Sequence, residues 1–317
     1  MSNLETDPRE SACGGLADVA AEPVSELLAG RDVVLGGPRA MKVTRTLPNR
    51  DLRMVGAWCF VDHYGPERAT MHVPPHPHTG LQTVSWLVEG EILHRDSVGS
   101  EQLIRPGQLN LMTAGRAISH SEDSPAEAAL HGVQLWVALP SAARDTAPAF
   151  EHHPALPALT SPGVTVTVIM GELGGVTSPA TTHTPLIGAE VTLEAGATTS
   201  VALRPGFEYA ALALSGTVRV GETPLSPGPL LYLGSGRPEL ALGTEGGGRL
   251  LLLGGEPFEE RIVMWWNFVG RSHEEIAGFR REWMEGEGFG TVPGTGAAPL
   301  PAPALPLTPL KARGRRR

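Results

Sequence analysis

Between about Asp32 and Pro140 the chain is a series of short apolar and β-branched runs separated by turn signals. Leu81-Gln82-Thr83-Val84-Ser85-Trp86-Leu87-Val88 is one such run, and it stops at Glu89-Gly90. Gln108 to Met112, following Pro106-Gly107, alternates polar with apolar residues, as does Val133 to Val137. Period-two alternation places successive side chains on opposite faces of a strand. Strand-like runs resume at Val164–Met170, Glu190–Leu193, Tyr209–Leu214, Leu230–Leu233 and Leu250–Leu253. One helical pattern comes after them. Ser272 and Glu275 form a capping box, and Ile276, Phe279 and Trp283 are spaced to share a face, which should dock on the preceding strands.

The two strand-rich halves resemble each other. Aligning Gly90 with Gly216 brings Gln82 to Glu208, His76 to Ala202 and His78 to Arg204. Aligning Pro106-Gly107 with Pro227-Gly228 brings His120 to Ala241 and Glu122 to Gly243. The scaffold signals recur while His76, His78, His120 and Glu122 have no like residue in the second copy, which predicts a duplicated β-barrel with one working and one silent half. The expected organisation is a flexible segment over 1–30, a first barrel over 31–150, a linker over 151–163, a second barrel with its helix over 164–288, and a disordered tail over 289–317. The linker and tail boundaries rest on proline- and glycine-rich composition.

Bulk composition narrows the function classes. Thirty-nine glycines and 29 prolines in 317 residues suit many short strands better than long helices. A net charge of −9 argues against broad attraction to nucleic acid or anionic membrane. The basic end, Lys311 to Arg317, could touch an acidic partner, but such charge runs are read first as solvated. With only Cys13 and Cys59, neither a disulfide-stapled fold nor a CxxC zinc site is expected. No apolar run reaches the roughly 18 residues of a membrane span, and the N-terminus lacks an export signal, so a cytoplasmic protein is expected.

The chemistry concentrates in two short motifs. His76-Pro77-His78 and His120-Ser121-Glu122 each place two potential ligands at i and i+2, on one face of a strand. Neighbouring strands would aim three imidazoles and one carboxylate at a single point, a donor set suited to a borderline transition ion. An ion that takes six ligands would keep two positions for substrate or dioxygen. His72, His94, His131, His152, His153, His183 and His273 have no comparable partner and are read as surface or structural residues. His63 is close enough in sequence to face the site, though a structural role is favoured, and Arg116 and Gln134 are weaker pocket candidates. Trp86 and Trp136 are read as core.

These motifs, with their surroundings, resemble the pirins. The matching segments are His76-Pro77-His78-Thr79-Gly80, then Thr83-Val84-Ser85 and Glu89-Gly90, then Met112 through Glu122. His131 through Val137 and Leu253-Gly254-Gly255-Glu256-Pro257 extend the match, which covers about residues 35 to 285. The resemblance implies an all-β fold of two cupin (jelly-roll) β-barrels in tandem with a C-terminal helix. It implies one divalent metal in the first barrel, iron(II) foremost with nickel, copper, manganese or zinc as alternatives, held by His76, His78, His120 and Glu122. Cupins often carry a glutamate where this chain has Gln82, which removes a carboxylate from that position. The activity implied is dioxygen-dependent opening of the ring of quercetin-type flavonols with release of carbon monoxide, Glu122 taking the substrate's proton. A monomer acting on a small aromatic substrate is expected. The alternative is a non-catalytic, metal- or redox-sensing regulatory protein that binds a protein partner.

Overall fold

Residues 11–13, 22–35, 41–124, 128–312 and 315 are described by a computed structural model of the chain. The first barrel has two sheets. In one, the strands Ala149–His153, Leu109–Thr113, Leu81–Glu89, Ala128–Ala138, Trp58–Ala69, Met41–Leu47 and Arg31–Leu35 lie side by side in that order. In the other, His72–His78 pairs with Ile118–Asp123, which pairs with Ile92–Asp96, which pairs with Glu101–Ile104. The second barrel repeats the plan. Its smaller sheet runs Thr198–Ala202, Glu239–Gly243, Val218–Val220, Thr223–Leu225. Its larger sheet places Leu186–Leu193, Gly248–Gly255, Glu208–Gly216 and Leu230–Gly234 side by side. The duplication expected from the repeat is therefore present strand for strand.

The edge strands depart from the expected boundaries. In the first barrel, Ala149–His153 pairs with Leu109–Thr113, so a strand of that barrel runs into the segment read as a linker. The equivalent edge of the second barrel is filled by Pro23–Leu28, which pairs with Leu230–Gly234 although it precedes the first barrel in sequence. Ala158–Ser161, also inside the expected linker, pairs with Val164–Leu173. Edge strands tolerate polar residues and nearby prolines because one side of the ladder is unpaired. That tolerance is why their composition reads as connection. Of the segment expected to be flexible, residues 1–10 and 14–21 lie outside the described residues, while Ser11–Cys13 pairs with Ile262–Trp265.

The largest apolar cluster is shared by the two barrels. It joins Trp58, Phe60, Trp86, Leu135 and Trp136 of the first to Tyr232, Leu251 and Leu253 of the second. The strand Leu81–Glu89 is buried on both faces from Leu81 to Leu87 because one face looks into its own barrel and the other across this junction. Indole donors cross the junction too. Trp58 Nε1 donates to the carbonyls of Ile187 and Gly254, at 3.1 and 3.2 Å, and Trp86 Nε1 to Glu190 Oε2 at 2.6 Å. A second cluster, mostly valine and leucine, fills the interior of the second barrel.

The helix spans His273–Glu285. Ser272 caps it by accepting from the Glu275 amide, and Gly286 closes it at φ 77°, a left-handed conformation glycine adopts without cost. Ile276 and Trp283 face inward as the spacing predicts. The segment beyond the helix differs from the disordered tail expected. Residues 289–312 lie along the first barrel and the helix. Leu300 N donates to Pro75 O at 2.8 Å, Trp283 Nε1 to Leu300 O at 2.8 Å, and Arg280 Nε to Pro303 O. Phe289, Ala302 and Leu310 join a cluster with Trp265, Trp266 and Trp283. Proline-rich chain has little entropy to lose and packs flat against aromatic surface. Of the basic end, only Lys311, Ala312 and Arg315 are described; Arg315 is 1% exposed, and its Nη1 lies 2.7 Å from Glu208 Oε1. No helix among the described residues is long and apolar enough to cross a membrane.

Candidate metal centre

Register brings the two motifs together. In the smaller sheet of the first barrel His120 is directly opposite His76, and Ile118 is opposite His78. A bulge between His120 and Glu122 shifts the pairing so that Glu122 falls opposite Val73. Bulges re-aim side chains next to sites of this kind. All four side chains are buried, at 0–1% exposure. His76 Nε2 and His78 Nε2 lie 2.7 and 3.1 Å from His120 Nε2.

The second ring nitrogens define the tautomers. His76 Nδ1 donates to Pro74 O at 2.8 Å and His78 Nδ1 to Asn267 O at 3.1 Å. A carbonyl only accepts, so each Nδ1 carries the proton and each Nε2 presents a lone pair. Burial lowers the pKa of His76 to about 4, against the opposing bond to Pro74 O. Burial also holds His78 and His120 well below the ordinary histidine range, with the neighbouring imidazoles adding to it. Three neutral Nε2 donors converging at 2.7–3.1 Å are what a transition ion accommodates. Bonds of about 2.0–2.1 Å at right angles would separate neighbouring donors by about 2.9 Å. The donor set thus fits a divalent metal.

Ligand atoms of His76, His78 and His120 all lie within 4.8 Å of one another, and so do those of His94, His120 and Glu122. Glu122 is thus grouped with His94 and His120, and not with His76 and His78. Its Oε1 lies 3.4 Å from Ser85 Oγ, which in turn donates to Gln134 Oε1 at 2.9 Å. Two more buried polar atoms here have no hydrogen-bond partner among the described residues: Gln134 Nε2 and Tyr64 Oη. Burial and the nearby charge of Glu122 raise the Tyr64 pKa well above the usual phenol value. Tyr64 otherwise belongs to an apolar cluster with Val33, Met41, Val43, Met71, Val73, Leu87, Ile92, Ile104 and Leu130. An apolar surround with a few unpaired polar groups is typical of a small-molecule site.

His94 is the residue that a reading of isolated histidines misses. It is buried, its Nδ1 lies 3.3 Å from His120 Nδ1, and its Nε2 lies 2.9 Å from Asp96 Oδ2. The signal is present in the sequence: His94-Arg95-Asp96 has the same i, i+2 form as the two motifs, on the strand that flanks Ile118–Asp123 on its other side. Other candidates fall elsewhere. His63 faces away from Tyr64, and its Nε2 lies 2.9 Å from His131 Nε2, whose ring bonds the Leu214 backbone in the second barrel. That is the structural role favoured for it. Arg116 is exposed. Gln82 donates to Thr113 Oγ1 at 2.9 Å and Thr181 O at 3.2 Å, a structural use of the position where cupins often keep a carboxylate. In the second barrel the positions aligned with the motifs hold Ala202, Arg204, Ala241 and Gly243; Arg204 is engaged by Glu172 at 2.6 Å.

Comparison with known proteins agrees with this architecture. The Pirin family profile matches residues 40–137, and that of the pirin C-terminal cupin domain matches residues 188–290. A Pseudomonas aeruginosa protein provisionally named quercetin 2,3-dioxygenase is 46% identical over 90% of this chain and 92% of its own length. Human pirin is 32% identical over 74% of this chain and 84% of its own. A crystal structure of a quercetin 2,3-dioxygenase from Acinetobacter baumannii superposes with a TM-score of 0.85, at 41% identity, covering 90% of this chain and 98% of that one. Two profiles in tandem, full-length relatives and the strand-for-strand duplication establish that the chain belongs to the pirin family of bicupins.

Proposed function

We propose that the protein is a metal-dependent dioxygenase opening the ring of quercetin-type flavonols, with His76, His78, His120 and Glu122 as the ligands of one divalent ion, iron(II) foremost. The observation that carries this reading is the convergence of three buried Nε2 atoms, with the buried carboxylate of Glu122 grouped with His120 and His94. The names of the Pseudomonas and Acinetobacter relatives favour the flavonol among possible aromatic substrates. When bound, such an ion supplies Lewis acidity that lowers the pKa of a coordinated hydroxyl and orients the reactants.

The chain's own residues do the rest. Glu122 accepts the flavonol's hydroxyl proton on a carboxylate oxygen, leaving the electron-rich anion that reacts with dioxygen. Ser85 Oγ, with one proton to give, lies 2.9 Å from Gln134 Oε1 and 3.4 Å from Glu122 Oε1. Tyr64 Oη and Gln134 Nε2, which find no partner within the described residues, are donors for substrate oxygens. The apolar cluster around Tyr64 excludes water from the reacting carbons. Loading the protein anaerobically with iron(II), then adding quercetin and oxygen, is expected to give ring-opened product and one carbon monoxide per quercetin consumed. Failure to turn over quercetin with iron, nickel, copper, manganese or zinc in turn would overturn the proposal for this substrate.

A further inference from the structure

Two of the three converging histidines have their tautomer set by main-chain carbonyls, which no substitution of a side chain removes. His120 is different, because its Nδ1 faces the side chain of His94. We propose that Asp96 and His94 form a proton-ordering relay that holds His120 in the Nδ1–H tautomer and so presents its Nε2 lone pair to a metal. The two are positioning residues, acting through His120. The inference rests on the reading that His120 is a metal ligand; it does not depend on the reaction catalysed.

The direction of the relay follows from its far end. Asp96 is fully buried and directly opposite His120 across the strand pair. Its Oδ1 accepts from the amides of Val98, at 3.0 Å, and Ser100, at 2.9 Å. The hairpin that supplies those amides turns at Gly99, φ 94°, and closes with Asp96 N donating to Ser100 O. This carboxylate therefore cannot rotate, and its Oδ2 is left facing His94 Nε2 at 2.9 Å. A carboxylate only accepts, so His94 Nε2 carries a proton, and in the neutral ring His94 Nδ1 is bare. A bare Nδ1 at 3.3 Å requires the proton of the next link to be on His120 Nδ1, leaving His120 Nε2 free to bind. The plane of His94 is fixed as well, by Phe150 stacked on it with centroids 4.4 Å apart and 16° between planes. Phe150 is delivered by the edge strand Ala149–His153.

Asp96→Asn tests the relay with almost no change of shape. The amides of Val98 and Ser100 require oxygen at the Oδ1 position, so the new NH₂ must point at His94. That donor forces His94 Nε2 to become the acceptor, moves its proton to Nδ1, and drives His120 to the Nε2–H tautomer, which cannot ligate through that atom. Long-range proton–nitrogen correlation spectra of metal-free, ¹⁵N-histidine-labelled protein report each tautomer directly. Wild type is expected to show His94 protonated at Nε2 and His120 at Nδ1, and Asp96→Asn the reverse for both. Zinc affinity, measured by competition with a chromogenic chelator, is expected to fall about 10–100-fold in Asp96→Asn, the usual cost of losing such an orienting partner. His94→Phe, which deletes the acceptor but keeps the stacking, is expected to lower it similarly.

Wild-type His120 protonated at Nε2 would overturn the proposal even if neither variant folds. So would a folded Asp96→Asn variant with wild-type zinc affinity. A second zinc held between His94 Nδ1 and His120 Nδ1 in the zinc-loaded crystal would also overturn it, because the two nitrogens would then share a metal instead of a proton. A protein that passes these tests yet leaves quercetin untouched would retain the relay and lose only the proposed substrate.

Discussion

Burial does most of the work at the scale of single residues. It turns the histidines into neutral donors, and hydrogen bonds to Pro74 O, Asn267 O and His94 decide which nitrogen is offered. The same burial has a measurable consequence for stability. His76 and His63 both titrate at about 4 in the folded chain, chiefly through desolvation, against about 6.5 when unfolded. Between those values the unfolded chain binds more protons than the folded one, so stability rises with pH across that window and is lost as pH falls through it. The thermal midpoint of the chelator-stripped protein is accordingly expected to drop as pH is lowered from about 6.5 to about 4. A midpoint that holds constant or rises over that range would show that these rings are not buried neutral.

Residue-scale reading from the sequence succeeds where the chemistry is local. The His-x-His and His-x-Glu pairs announce themselves because i and i+2 share a face whatever the rest of the fold does. His94 and Asp96 carry the same spacing. Their meaning depends on Ile92–Asp96 lying beside Ile118–Asp123, a fact of topology that no local pattern encodes. Tyr64 escapes for a similar reason. Its strand is legible, but the sequence does not say that its hydroxyl ends unpaired near Glu122.

Elements are legible in proportion to how apolar they are. Central strands such as Leu81–Glu89 and Gly248–Gly255, buried by both barrels, stand out as runs. Edge strands such as Pro23–Leu28 and Ala149–His153, half-exposed and polar, read as connection. The C-terminal arm misleads through its composition, because proline and alanine suit a solvated chain as well as a segment laid on tryptophan. Its packing predicts a cost for removing it. Deleting residues 290–317 would strip Val292, Ala302 and Leu310 from their buried places and leave Trp283 Nε1 without its acceptor. Burying a valine and a leucine is worth about 1.5–3 kcal/mol each, so a loss of about 3–6 kcal/mol is expected, read as a lowered denaturant midpoint. An unchanged midpoint in the truncated protein would show the arm to be a passive extension.

At the scale of the molecule, the two barrels divide the labour. The first keeps a polar constellation inside its smaller sheet, and the second fills the matching space with valine and leucine. Exchanged edges, shared core and indole bonds across the junction tie the second barrel to the first, and Asn267 O, which orients His78, comes from the turn between Ile262–Trp265 and Phe268–Gly270, after the second barrel's last strand. The internal repeat is readable from glycine and proline spacing; the interlocking of the barrels is not, since it depends on strands far apart in sequence. The proposed chemistry stands on one ion held by four named side chains. Anomalous diffraction at the iron edge, from crystals of the iron(II)-loaded protein, is its sharpest test. The prediction is a single peak per chain, about 2.0–2.2 Å from Nε2 of His76, His78 and His120 and from one Glu122 oxygen. An ion found elsewhere, or one bound without these four side chains around it, would contradict that prediction and the function built on it.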